Sequence, residues 1–256
     1  MFLAENDLER SLMSATADPS HRPQFYRDLL IADVYFVQAG EGSLDIQHGV
    51  LQEGSDIQIP SLKRDGEDWL PVFSSLARLQ QSLQKEAMYL RLNAKDFFEI
   101  TRGANVVLNP GLDYGKEFTA AEIAGILDGS IFRAGQGYVV EEDTQVLIGQ
   151  PTTYPIALVN TLSRLFAKQP SVKAAYLAHF FNPITDGFPH TLIGIVVESD
   201  WDSIVGDAGV VAREVMGEHE IVDFVRVSPD ERGLSEYMLR ENKPFYKRSF
   251  LRKLFG

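Results

Sequence analysis

The sequence contains no cysteine. That excludes disulfides, thiolate catalysis and cysteine-ligated zinc or iron–sulfur centres. No stretch approaches the run of about 20 apolar residues that a membrane-spanning helix requires. Positive charge is in deficit: 24 Lys and Arg face 36 Asp and Glu, for a formal net charge of −12. A general nucleic-acid binder is expected to carry the opposite sign. Residues 1–18 bear acids early and lack an apolar core, so no secretory signal is expected. There is no Gly-x-x-x-x-Gly-Lys-Ser/Thr loop, no Gly-x-Gly-x-x-Gly and no Gly-x-Ser-x-Gly elbow. The histidines, His21, His48, His179, His190 and His219, do not fall at metal-ligand spacing. Neither the acidic pair Glu141-Glu142 nor Asp186 sits in an EF-hand pattern. No metal or cofactor is therefore expected.

What is present is a chain of 256 residues, a length that suits one large or two modest domains and allows about 70–75% of the unfolded surface to be buried. Asn6 or Asp7 opens a helix carrying Leu8, Leu12 and Met13. Pro19 and Pro23 bracket a break before a second helix with Phe25, Tyr26, Leu29 and Leu30. Strands are predicted over 33–39, 69–73, 88–92 and 105–108. Ser74 or Ser75, Asn93 and Thr119 cap the intervening helices, with Glu122 at a capping-box position. Residues 40–56, rich in Gly, Ser, Gln and acids, read as a loop or weak hairpin.

This alternation predicts an α/β (α+β) chain. Its N-terminal mixed-sheet α/β domain covers 1–130, a linker 131–143, and a second domain 144–256. In the second domain strands at 145–149, 172–181, 190–198 and 220–227 alternate with helices at 154–168, 201–216 and 233–242. The order β-α-β-β-α-β-α suggests a ferredoxin-like arrangement. The loop 182–189 joins the two central strands; His179 and His190 flank it and could face each other across that hairpin.

The stretch Leu108-Asn109-Pro110-Gly111-Leu112-Asp113-Tyr114-Gly115-Lys116-Glu117-Phe118 stands out. Asn-Pro-Gly is a turn with a mechanism, since proline presets φ and glycine accepts positive φ. Lys116 lies near an expected helix start, where an anion is favoured. Asn109, Gly111, Tyr114, Gly115, Lys116 and Glu117 are the candidate binding residues, with Lys116 placed to grip a carboxylate. The competing reading is a turn in which Lys116 and Glu117 pair while Phe118 enters the core. No residue is assigned a catalytic role.

Charge is also unevenly distributed. Residues 240–256 carry +5, which leaves −17 on residues 1–239. In that tail Phe245, Tyr246, Lys247, Arg248 and Arg252 mix aromatics with cations. Phe250, Leu251, Leu254 and Phe255 share one side of a helical wheel. Such a segment suits a partner groove or an anionic surface, or packing on its own domain.

Several strings occur together in order: His21-Arg22-Pro23-Gln24-Phe25 with Leu29-Leu30; Leu70-Pro71-Val72-Phe73-Ser74-Ser75 with Ala77-Arg78-Leu79; and Asn109-Pro110-Gly111 with Gly115-Lys116-Glu117-Phe118. Leu147-Ile148-Gly149-Gln150-Pro151, Ala174-Ala175-Tyr176-Leu177, Leu192-Ile193-Gly194-Ile195 and Pro244-Phe245-Tyr246-Lys247-Arg248 continue the set. Together they resemble the SseB family, the enhanced serine sensitivity proteins, across an N-terminal and a C-terminal family domain. The resemblance implies a cytoplasmic bacterial protein linked to serine sensitivity. It carries over no reaction, cofactor or catalytic residue.

The expectation is a non-enzymatic binding or regulatory protein. Its partner would be another protein or a small acidic ligand such as an amino acid, with self-association as a further option and no nucleic acid. Two alternatives stay open: an enzyme of unknown class using the Asn109–Phe118 loop, and a module docking through its basic tail.

Overall fold

The computed structural model describes residues 2–39, 46–47, 50–51, 57–84, 86–133, 146–217 and 220–249. The chain forms two compact units, Met1–Ala17 with Gln24–Asp128, and Asp18–Pro23 with Gly129–Gly256.

The first unit runs α1 (Asp7–Ala17), α2 (Arg22–Ile31), β1 (Asp33–Val37), the short strands β2 (Ile46–Gln47) and β3 (Val50–Leu51), β4 (Leu62–Arg64) and β5 (Glu67–Val72). It continues with α3 (Leu76–Ser82), β6 (Tyr89–Asn93), α4 (Ala94–Ile100), β7 (Asn105–Leu108), β8 (Lys116–Phe118) and α5 (Ala120–Leu127). The expected loop over 40–56 lies mostly outside the described residues; β2 and β3 pair antiparallel within it. Side-chain caps start the helices where the sequence places them. Asn6 accepts from the Glu9 amide at 2.9 Å and Asn93 from Lys95 at 2.9 Å. Ser75 accepts from Arg78 at 3.3 Å and Thr119 from Glu122 at 3.1 Å. Each such cap stabilises its helix by about 1 kcal/mol.

Four strands lie in the order β4-β5-β7-β8, with β5 and β7 parallel and the outer pairs antiparallel. β1 pairs with β6 and is tied to the end of β5 through reciprocal backbone bonds between Tyr35 and Phe73. A file of phenylalanines forms the core. Phe36 meets Phe97 at 4.9 Å, Phe98 meets Phe118 at 5.8 Å and Phe25 meets Phe118 at 6.2 Å between ring centres. All are fully buried, and each tilted pair adds about 0.5–1.5 kcal/mol beyond its buried area.

The second unit contains β9 (Leu147–Gly149), α6 (Ile156–Ala167), β10 (Val172–Phe181), β11 (His190–Val197), α7 (Trp201–Met216), β12 (Val222–Arg226), α8 (Leu234–Glu241) and β13 (Tyr246–Lys247). Its sheet order is β12-β11-β10, with β13 and β9 along the other side of β10. The strands alternate between two buried faces. Ala175, Leu177, Ile193 and Ile195 join Leu158, Leu162, Phe166 and Val211 from α6 and α7. Ala174, Tyr176, Ala178 and Leu192 join Met238 of α8 on the opposite face. Burial on both faces explains why β10 and β11 read as nearly unbroken apolar runs.

The α+β class holds, and the element order β-α-β-β-α-β-α recurs. The ferredoxin-like arrangement does not match the pairing. A split βαβ unit inserts a strand between the two it connects, whereas β11 and β12 are direct parallel neighbours through α7. β9 is likewise the direct antiparallel neighbour of β10.

Among the described residues, no helix is long and apolar enough to cross a membrane.

Candidate functional site

The Asn109–Phe118 stretch is built as anticipated at its start and differently at its end. Asn109 adopts φ 52°, in the left-handed region that asparagine tolerates better than most residues. Pro110 and Gly111 then form a type II turn: Gly111 has φ 75° and the Leu112 amide donates to the Asn109 carbonyl at 3.2 Å. Gly115 is required for a separate reason. A Cβ there would lie 2.8 Å from the Leu108 carbonyl oxygen and 3.0 Å from that of Asn109.

A helix does start nearby, with Thr119 as the N-cap of α5, but Lys116 itself belongs to a strand. It is the first residue of β8, paired with Leu108 across an antiparallel ladder. Three residues with one apolar side chain gave no strand signal; pairing with the buried β7 supplies it. The alternation of β8 sends Lys116 and Phe118 to one face and Glu117 to the other. Lys116 and Glu117 therefore do not pair through their side chains. The Lys116 ammonium contacts the Glu122 carboxylate at 3.0 Å and the Glu117 carbonyl oxygen at 2.5 Å. Glu117 pairs with Arg64. Glu122 sits at the capping-box position, but its carboxylate accepts from Tyr26 Oη at 2.7 Å as well as from Lys116. Phe118 enters the core as the competing reading had it.

These residues border an open recess of about 650 Å³. Asn109, Gly111, Gly115, Lys116 and Glu117 all line it, joined by Arg64, Trp69 and Glu122. Tyr114 is not among the lining residues: its ring lies 5.0 Å from that of Phe2.

Behind the turn lies a buried polar network that the sequence reading missed. Glu9, on the buried side of α1, accepts from Arg78 Nε at 3.1 Å and from Arg78 Nη2 at 3.0 Å. Ser74 Oγ donates to Glu9 at 2.7 Å. The Ser74 amide donates to Asn109 Oδ1 at 2.9 Å, and the Asn109 amide group donates to Ser74 Oγ at 2.9 Å. Phe2 covers the Arg78 guanidinium, 3.7 Å from ring centre to Cζ. Burial of Glu9 opposes ionisation, yet hydrogen bonds from Arg78, the Glu5 amide and Ser74 outweigh it and hold the carboxyl below its ordinary range. The network thus keeps both charges while fixing the side chain of Asn109. The available sequence signal was a charged residue among the buried positions of two amphipathic helices: Glu9 beside Leu8 and Leu12, and Arg78 beside Leu79.

The other candidates separate. The tail residues belong to their own unit. Tyr246 pairs with Ala175 in the β10–β13 ladder and donates from Oη to the Phe166 carbonyl at 3.1 Å. Phe245 stacks 6.4 Å from Phe166. Arg248 donates to the carbonyls of Val172 at 2.9 Å and Phe166 at 3.0 Å, and to that of Gln169. Cations at a helix C-terminus complement its dipole and free carbonyls, and Arg248 does so for α6. Lys247 is exposed, and Arg252 lies outside the described residues, as do Phe250, Leu251, Leu254 and Phe255.

His179 and His190 do not face each other. The register pairs His179 with Thr191 and Phe180 with His190. His190 instead sits between Asp223, at 2.8 Å from Nε2, and Asp186, at 3.7 Å from Nδ1. Among the described residues no group of three His, Asp or Glu converges to hold a metal. Glu141, Glu142, His48 and His219 lie outside the described residues.

Comparison with known proteins finds a match for each half of the chain. Residues 8–125 match the SseB protein N-terminal domain and residues 140–248 the SseB protein C-terminal domain. Protein SseB of Escherichia coli (strain K12) and Protein SseB of Shigella flexneri are each 29% identical over 249 residues, covering 97% of this chain and 94% of the relative. No solved structure matches significantly. With both family domains matched in order along nearly its full length, the chain belongs to the SseB family.

Proposed function

We propose that this protein is a non-enzymatic cytoplasmic binding or regulatory protein, tied through its family to serine sensitivity, that acts by docking at the recess beside the Asn109–Glu117 turn. The observation that carries this reading is the buried Glu9–Arg78–Ser74–Asn109 network. Burying an ion pair is costly and adds little net stability, so its best-attested use is to specify one geometry. Here the geometry specified is that of an exposed turn bordering a recess, which is what a preformed binding edge requires.

The lining charges narrow the ligand class. Lys116 and Glu122 already satisfy each other, with side chains only 20% exposed. Arg64 and Glu117 are about half exposed, 46% and 50%, and exchange partners more readily. A small molecule bearing a carboxylate beside an ammonium, such as an amino acid, fits: its carboxylate replaces Glu117 on Arg64 and its ammonium meets the released Glu117. Thermal unfolding in millimolar L-serine tests this. An upward shift that shrinks in Arg64→Ala and Glu117→Gln is expected, and no shift at millimolar serine refutes the amino-acid reading.

A second reading is favoured by one contact. The Tyr26–Glu122–Lys116 chain places titratable groups within hydrogen-bond reach at the recess, an arrangement that also serves proton transfer. An enzyme would consume a bound amino acid, and Lys116→Ala would stop it; mass spectrometry of the incubated mixture decides.

A further inference from the structure

The hairpin end of the second unit's sheet gathers large apolar side chains that no helix covers. Leu147 is 65% exposed, Ile184 80%, Phe188 58% and Ile221 50%. The register places them at one end. Leu147 pairs with Phe181, the last residue of β10. Ile184 and Phe188 lie in the loop that follows. The Ile221 carbonyl accepts from the Thr191 amide at 3.3 Å, beside the first residues of β11. Four strands across, this rim measures about 15 Å. Single exposed apolar residues need no explanation, but several along one rim mark an interaction surface.

The rim is held in place from behind. Asp186 accepts from the Asn182 amide at 2.6 Å and from Thr185 Oγ1 at 2.8 Å, and Asn182 Oδ1 accepts from the Ile184 amide at 3.0 Å. His190 links Asp186 to Asp223 of β12. A loop fixed this way loses little freedom on docking. The segments that build this end, residues 146–151, 182–192 and 220–225, contain Asp186, Glu220 and Asp223 and no Lys or Arg. The surface is apolar within an acidic field.

We infer that this rim docks the segment 249–256 of a second copy of this chain. That segment holds Phe250, Leu251, Leu254 and Phe255 with Arg252 and Lys253, and no acid. Its composition complements the rim in both apolar character and charge. The direction of β13 assigns it to a second copy. Tyr246 lies opposite Ala175, Lys247 opposite Ala174, and the Arg248 amide donates to the Lys173 carbonyl at 2.8 Å. The chain thus heads toward the start of β10, about 26 Å along the strand from the hairpin end. The contact is heterologous, so copies meet head to tail.

The test is sedimentation of the full chain at low and at 0.5 M salt, beside three variants: truncation after Ser249, Arg252→Glu with Lys253→Glu, and Ile184→Ser with Phe188→Ser. The rim positions are exposed, and circular dichroism with thermal unfolding verifies that each variant folds. Expected is concentration-dependent self-association at low salt, weakened about tenfold or more by each variant and by added salt. A synthetic peptide of residues 249–256 should bind the truncated chain and fail to bind it when Ile184 and Phe188 are also replaced. A full chain that stays monomeric at low salt overturns the inference. So does association that survives the rim substitutions. Association lost with the rim but retained after truncation excludes the tail as its occupant.

Discussion

The two units set buried polar groups in different places. The second packs β10 and β11 between α6 and α7 on one face and α8 on the other, mostly with Ala, Val, Leu, Ile and Phe, and keeps a buried His190 between Asp186 and Asp223 at the hairpin end of the sheet. The first also has an apolar core, but beside it buries Glu9, Ser74, Arg78 and Asn109 in one connected network. An apolar core contributes stability without direction. A fully bonded polar network contributes direction at little net gain. In both units polar contacts lie behind an exposed loop, Glu9, Arg78 and Ser74 behind the Asn109–Glu117 turn and Asp186, His190 and Asp223 behind the loop 182–189, but only the first pairs a buried carboxylate with a guanidinium.

The sharpest way to break this comparison is Arg78→Ala. It strands a buried carboxylate, and equilibrium unfolding should show a loss of about 3–5 kcal/mol. The double variant Glu9→Leu with Arg78→Met should recover much of that stability while amide exchange at 109–115 accelerates. If the double variant keeps the turn as protected as in the parent, the network does not specify it. In the second unit the matching polar anchor is Arg248, whose guanidinium bonds the carbonyls at the end of α6. Arg248→Ala should cost about 1.5–3 kcal/mol, read in the same experiment.

Backbone close approach gives a smaller, two-sided comparison. Gly115→Ala presses a methyl onto the Leu108 carbonyl at 2.8 Å, and Gly206→Ala on α7 presses one onto the Phe132 carbonyl. Each should destabilise by about 1–3 kcal/mol, but only Gly115→Ala should also disturb binding at the recess. The smallest effect expected is on pH dependence. Lys168 Nζ lies 2.9 Å from His21 Nε2 and 2.9 Å from Ser20 Oγ. Burial, and then the Lys168 charge, hold the His21 imidazole below its ordinary range, and the Asp18 carboxylate only partly offsets them. The unfolded chain therefore binds the proton more readily. Stability should be full above the ordinary histidine pKa of about 6.5 and decline as pH falls through the lowered folded value. His21→Gln should flatten that slope in pH-dependent thermal unfolding.

Much of the fold was legible in the sequence. β7, β10 and α7 have the predicted bounds, because β-branched and apolar runs mark the strands and Gly217, at φ 85°, ends α7 locally. The short strands were not. β4 is Leu-Lys-Arg and exposed along its length, although its hairpin turn carries the Asp65-Gly66 signal, with φ 52° and 85°. β8 has no pattern of its own. In the site, Asn109, Gly111 and Gly115 were legible because turn chemistry is local. The partners of Lys116 and Glu117 were not, since Arg64 and Glu122 reach them only after the sheet and α5 assemble.

By itself the sequence determined the α+β class, most helices and central strands, the Asn109-Pro110-Gly111 turn and the absence of any cysteine chemistry. These depend on periodicity, capping and composition, which act within a few residues. The tertiary structure alone decided the strand order of the second unit, the partner of each charge at the recess, and the burial of Glu9 on Arg78. Those outcomes join residues up to 96 positions apart, as Tyr26 and Glu122 are, and no local rule chooses among the pairings that a compact chain makes available.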